Sequence, residues 1–286
     1  MHSEEFEEFR EAYQNCTEQL ATLIDNFVHK QMPLEDEQLL SDIRGVFNRH
    51  STGLGIMAML VNVQEIDTST YAHSVNTAII SRVFGGWIGI TNPHELDVLT
   101  MCGLYHDIGK SLIPNAILTK PRTLNDAERE KMNEHPVLGY QILKDSNIDR
   151  RIKLAALQHH ERGDGSGYPN GLLATFTNDY SKIVAIADVY DAMTADRCYR
   201  AGICPFEVIA QFQREPMGKY DHKYLPVFLE NIAHSYLNEG VLLSDGSRGK
   251  ITMINPNSLA SPLVLLDDGS FVDLAERKDI YIRACV

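Results

Sequence analysis

Apolar positions near the amino terminus recur in alternating steps of three and four: Phe6, Phe9, Tyr13, Cys16, Leu20, Leu23 and Phe27. That spacing predicts one helix over residues 3 to 30 with a heptad seam about three heptads long. Ser3 can cap it, and Glu4, Glu5, Glu7 and Glu8 fall in its positive first turn. The seam has two readings, a face packed on the domain core or a coiled-coil dimer contact. Pro33 marks a break, and Leu39, Leu40, Ile43 and Phe47 predict a second helix. Residues 54 to 63 are apolar core, and a helix around Ile66 to Ile80 carries His73. Leu96 to Leu104 reads as a buried helix, and Ile113 to Leu124, with Pro114 and Pro121, as a loop. A helix starts at Asn125, where Glu128 sits as in a capping box, and Val137, Leu138, Tyr140, Ile142 and Leu143 extend a core face beyond His135-Pro136. Ile148 to Leu157 is amphipathic, the apolar run from Lys182 ends in Asp188, and residues 205 to 238 read as two closing helices around Tyr220-Asp221.

The pattern then changes. Leu242-Leu243, Ile251 to Ile254, Leu263 to Leu266 and Ile280 to Ile282 are short apolar runs separated by Asp245-Gly246, Asn255-Pro256 and Asp268-Gly269. Asp-Gly favours hairpin turns, so a small β unit is expected. The expected architecture is mainly α: an N-terminal helical segment over 1–50, a helical domain over 51–240 and a β subdomain over 241–286.

Charge narrows the function. The chain of 286 residues carries a net charge of −13, which argues against a generic nucleic-acid binder. An anionic substrate would need a locally positive site, which metals, Lys110, Arg197 and Arg200 could supply. Lys120 and Arg122 are further candidates for the substrate side. The five cysteines form no Cys-x-x-Cys pair, which fits a reducing cytosol, and a cytoplasmic location is expected. No stretch is long and apolar enough to span a membrane, and no signal peptide precedes the first helix.

Candidate chemistry gathers on the helices. His106-Asp107 puts two metal-ligand types side by side, and a carboxylate has enough oxygens to bridge two cations. Gly109 lets backbone pass close, and Lys110 lies one turn beyond His106. His73, His135, His159-His160 and Asp188 each lie in or beside a separate apolar helical segment, so they can converge in one core. His159 and His160 cannot share one helical face, and the glycine-rich stretch from Glu161 to Pro169 follows them, so a helix ends there. Asp191 follows Asp188 by three residues, so both could face one site.

His106-Asp107 with Lys110, then His159-His160-Glu161 and Gly167-Tyr168-Pro169, resembles the HD-GYP family of bacterial cyclic di-GMP phosphodiesterases over about residues 60 to 240. The resemblance implies an HD-type helical bundle. It implies one divalent metal on His73, His106, Asp107 and Asp188, and a second on Asp107, His135, His159 and His160. Iron or manganese is expected, with zinc an alternative. It implies a water activated between the metals that attacks phosphorus, with Asp107 and Lys110 as the catalytic residues. Tyr168, Asp191, Arg197 and Arg200 would meet the substrate. Some members hold a third metal through a Glu one turn before the His73 position; here that residue is Ser69. Two metals are therefore expected, with hydrolysis mainly to linear pGpG. Two rival readings are a cyclic-dinucleotide sensor without turnover and an enzyme for another substrate such as cyclic GMP-AMP. The expected partners are cyclic di-GMP and, through the N-terminal seam, a second copy of the chain.

Overall fold

The computed structural model describes residues 4–49, 53–63, 69–120, 122–195 and 202–285. Helix α1 (Glu4–Ile24) runs into a π-helical turn, Asp25–His29, and α2 (Glu37–Arg49) returns along it. Phe6, Phe9, Tyr13, Cys16, Leu20 and Ile24 are buried in the same core as Ile43 of α2 and Val75 of the later α4. The seam is thus covered by the chain itself. The dimer expectation loses its motivation, because burying the stripe internally already removes the apolar surface from water.

Helix α3 (Gly53–Val63) and α4 (Thr70–Trp87) follow. Residues 64–68, where the His73 helix was expected to begin, lie outside the described residues, and α4 starts at its N-cap, Ser69, whose side chain accepts a hydrogen bond from Ala72 N. Helix α5 (Pro93–Tyr105) packs on α4 so closely that a Cβ at Gly103 would lie 2.5 Å from the Ala78 Cα. Asn92 caps α5 through His94 N, and Pro93 opens it, where its missing N–H costs nothing. A 3₁₀ turn (Ile108–Leu112) leads to the short α6 (Asn115–Leu118), which interrupts the expected loop. Helix α7 (Asp126–Met132) starts with the full Asn125/Glu128 capping box, and α8 (His135–Leu143) is a separate helix rather than its continuation.

Helices α9 (Arg150–Gln158) and α10 (Asp179–Thr194) are joined at their ends, since Gln158 Oε1 accepts from Asn178 N at 2.9 Å. Helices α11 (Pro205–Arg214) and α12 (Leu225–Ser235) close the helical part. An antiparallel sheet follows, made of β1 (Gly240–Leu243), β2 (Arg248–Met253), β3 (Leu263–Leu266), β4 (Phe271–Asp273) and β5 (Ile282–Cys285), in the order β4-β3-β2-β1-β5. Its two Asp-Gly turns put Gly246 and Gly269 at φ of 91° and 86°, the left-handed region glycine tolerates. Val241, Leu243, Ile251 and Val264 join the core that begins at Phe6, so helices and sheet share one apolar interior.

Candidate metal centre and substrate cavity

The site is assembled from helix ends. Helix α5 stops at Tyr105, and the chain turns through His106 and Asp107. It is then pressed onto α8: a Cβ at Gly109 would lie 2.0 Å from His135 O and 2.5 Å from Gly139 N. Only glycine fits that approach, and it sets Asp107 beside His135. His159 is the residue capping the end of α9, as the paired histidines required. Asp188 and Asp191 lie one turn apart on α10, and His73 lies in the second turn of α4.

The two oxygens of Asp107 face different groups. Oδ2 lies 3.3 Å from His106 Nε2 and 3.7 Å from His73 Nε2. Oδ1 lies 3.2 Å from His135 Nε2 and 3.6 Å from His159 Nε2. Asp188 Oδ1 is 3.0 Å from His73 Nε2 and 3.8 Å from His106 Nε2, and its Oδ2 is 3.9 Å from His160 Nδ1. All of these residues are buried except the half-buried His160. The seven residues expected as ligands therefore converge around one carboxylate.

The imidazoles are held from behind. His106 Nδ1 meets Gly103 O at 2.7 Å, His135 Nδ1 meets Met132 O at 2.7 Å, and His159 Nδ1 meets Ala155 O at 3.0 Å. His73 Nδ1 meets Asp191 Oδ2 at 2.6 Å. Donation from each Nδ1 leaves a lone pair on each Nε2, the arrangement of imidazoles that bind metals. His106 Nε2 and Asp107 Oδ1 are buried without a hydrogen-bond partner, although His135 Nε2 lies only 3.2 Å from that oxygen. Such orphaned polar atoms are costly in a protein interior, and a cation among the imidazoles and carboxylates would satisfy both. The donor set fits divalent metal.

Electrostatics agree with this geometry at every ligand but His73, which Asp188 and Asp191 hold protonated against burial and which a cation would have to deprotonate on binding. Burial works against ionised Asp107, yet Lys110, His106 and His135 hold its carboxyl well below the ordinary range. Asp188 is likewise held low against burial, chiefly by His73. Burial and the neighbouring imidazoles push His159 down to about 4, while Asp107 opposes the shift. His160 is also pushed well down, first by burial and then by His159. Ionised carboxylates and neutral imidazoles are the states that bind cations. Lys110 Nζ lies 2.5 Å from Asp107 Oδ2 and borders a cavity that opens beside it.

Three of the expected substrate contacts need correction or fall outside view. Asp191 is fully buried behind His73 and orients that ring instead of facing a substrate, because its carboxylate is the acceptor that the ring N–H requires. Arg197 and Arg200 lie outside the described residues. Lys120, a candidate cation, is paired with Glu128. Tyr168 stacks on His160, with ring centroids 4.6 Å apart and planes 29° apart, and so borders the centre.

Glu161 braces the loop that follows the histidine pair, a role its position in the sequence does not state. It is buried, and its two oxygens accept from Asn170 N and Leu172 N at 2.8 Å each, fastening the loop that carries Tyr168. A Cβ at Gly167 would lie 2.4 Å from His160 O, so glycine is required where that loop folds back. A carboxylate directly after a His pair and before a glycine-rich loop was the available signal for this brace.

Comparison with known proteins fits the same picture. A family model described as HD domain matches residues 37–224. Cyclic di-GMP phosphodiesterase PdeB of Borreliella burgdorferi is 30% identical over 73% of this chain and 55% of its own length. Cyclic di-GMP phosphodiesterase PA4108 of Pseudomonas aeruginosa is 30% identical over 90% of this chain and 63% of its own. The chain thus spans little more than half the length of these relatives. Bd1817, an HDG"Y"P protein of Bdellovibrio bacteriovorus, superposes with a TM-score of 0.55 at 19% identity, over 77% of this chain and 69% of that one, a likeness of fold. With the match spanning α2 to α11 and the His-Asp residues and Tyr168 gathered at one centre, this chain belongs to the HD domain family, in its HD-GYP branch.

Proposed function

We propose that the chain is a metal-dependent phosphodiesterase that hydrolyses cyclic di-GMP, mainly to linear pGpG. The observation that carries this reading is the split environment of Asp107, with Oδ2 toward His73 and His106 and Oδ1 toward His135 and His159. A carboxylate so placed suits two divalent cations, one shared with His73, His106 and Asp188, the other with His135, His159 and His160. Iron or manganese suits this oxygen- and imidazole-rich set, with zinc an alternative. Cations there would supply positive charge for the phosphoryl oxygens and acidify water at neutral pH. Lys110 adds charge beside Asp107, where the non-bridging oxygens of a bound phosphodiester would become more negative. Tyr168 is set to pack against the substrate from the His160 side. Arg197 and Arg200 would hold phosphate or base through their guanidinium forks.

Cyclic di-GMP is the substrate named for both curated relatives. Hydrolysis is proposed to stop mainly after one bond, because Ser69 offers no carboxylate for a further cation; its oxygen already caps α4. The test is to incubate the manganese-loaded protein with a panel of cyclic dinucleotides and follow products by chromatography. Loss of cyclic di-GMP with accumulation of pGpG is expected. No turnover of any member would leave a sensor, and faster turnover of cyclic GMP-AMP would replace the substrate. GMP appearing as fast as cyclic di-GMP disappears would refute the one-bond limit.

A further inference from the structure

The cavity beside Asp107 and Lys110 extends well past the metal ligands. Its volume is about 820 Å³, within the range of about 300–1,000 Å³ typical of small-molecule sites. One wall comes from the α6 region, with Asn115, Leu118 and Thr119. Further lining comes from Tyr71 in the first turn of α4 and from Ile24 and His29 at the end of the N-terminal helix. Ile24 and His29 precede residue 37, where the HD domain match begins.

The N-terminal segment is fastened to the metal-bearing helices at two points, one on α1 and one in the connection that leads to α2. Tyr13 donates its hydroxyl to Ala72 O at 3.3 Å, beside His73. Tyr105, beside His106, donates to Asp36 Oδ2 at 2.9 Å. Between these ties the helix widens into the π-helical turn Asp25–His29, which adds a residue to the turn and re-aims the side chains after it. Leu20 and Ile24 stay in the core while His29 reaches the cavity.

The chemistry of these walls differs from that of the metal end. Tyr71 and Leu118 offer aromatic and apolar area, and the Asn115 amide has both a donor and an acceptor, as a purine edge requires. We propose that this distal part of the cavity binds the nucleoside that is not being cut, with Asn115 and the N-terminal His29 as specificity-determining contacts. The inference rests on the phosphodiesterase reading. It makes the N-terminal helix part of the substrate site, so displacement of that helix would weaken substrate binding without removing a metal ligand.

The test compares His29→Ala and Asn115→Ala with the wild type on two substrates. Both side chains are exposed, so neither change opens the core. With cyclic di-GMP, KM should rise about fivefold, the scale of one lost hydrogen bond, while kcat stays within about twofold. With bis(4-nitrophenyl) phosphate, a phosphodiester without nucleosides, kcat/KM and metal content should be unchanged. An unchanged KM for cyclic di-GMP, or equal losses on both substrates, would overturn the inference. If the wild type cuts bis(4-nitrophenyl) phosphate but no cyclic dinucleotide, the substrate assignment fails independently. Inhibition of that cleavage by guanosine 5′-monophosphate then reads the cavity alone. It should be about fivefold weaker in both variants, and equal inhibition would overturn the inference.

Discussion

On the Oδ2 side of Asp107, His73 stands between two carboxylates, Asp188 and Asp191, with His106 beside it. On the Oδ1 side, His135 and His159 lie 3.2 Å apart through their Nε2 atoms, His160 packs on His159, and backbone carbonyls stand behind His135 and His159. The first side gathers negative charge, and the second gathers neutral lone pairs. Burial alone would lower the pKa of a histidine on either side. On the first side Asp188 and Asp191 overcome burial and raise His73 to about 9. On the second, burial prevails, helped by imidazole neighbours, and His159 falls to about 4. The two faces of one carboxylate thus meet unlike surroundings, and the two proposed metal sites would differ accordingly.

The strongest way to break the comparison is to remove the shared residue. Asp107→Ala should abolish phosphodiester hydrolysis, a loss of at least about a thousandfold by the scale of removed transition-state charge stabilisation. Steady-state assay at saturating manganese checks this. The next separates the sides. Asp191→Asn keeps the shape behind His73 but removes the charge, and should weaken metal on that side about 10–100-fold, as loss of a partner behind a ligand does. His135→Ala should do the reverse, sparing the His73 side. Metal titration followed by calorimetry would show one weakened event in each variant, and identical behaviour would mean the sides are not distinct.

The pH dependence of the metal-free protein sharpens the contrast. His73 has its pKa raised from 6.5 to about 9, so its stabilisation is complete below pH 6.5 and is lost as pH rises through about 9. His159 has its pKa lowered from 6.5 to about 4, so its contribution is complete above pH 6.5 and is lost as pH falls through about 4. Each limb amounts to at most a few kcal/mol. Chelator-treated His73→Ala should flatten the alkaline limb of denaturation midpoints, and His159→Ala the acid limb.

A smaller effect belongs to the loop beside His160. Glu161→Gln replaces an oxygen that accepts one of two backbone N–H groups with a donor. The cost should be about 1–3 kcal/mol of stability. KM should rise at most about tenfold as Tyr168 loosens, with metal content unchanged. Thermal unfolding and initial rates measure both.

Much of this contrast was legible in the sequence. His73, His106, His135, His159, His160, Asp107 and Asp188 were separable as candidates because each interrupts or ends an apolar helical run. The Asp-Gly turns announced the sheet, since their chemistry is local. The role of Asp191 was not legible. Three-residue spacing shows that two carboxylates share a face, but not that one of them is filled by a histidine from another helix. The amino-terminal seam kept its two readings open for a related reason: heptad spacing fixes which face is apolar and leaves open what covers it, here the core of the chain itself. The cavity wall from His29 was invisible, because it depends on a π-helical turn and on long-range ties through Tyr13 and Tyr105.

Elemental analysis of purified wild-type and Asp107→Ala protein tests most directly whether one carboxylate joins two metal sites. The wild type should carry two metal ions per chain and Asp107→Ala close to none, with the variant still folded by circular dichroism. A folded Asp107→Ala that keeps a full metal complement, or a wild type that saturates at one ion, would contradict the shared-carboxylate arrangement.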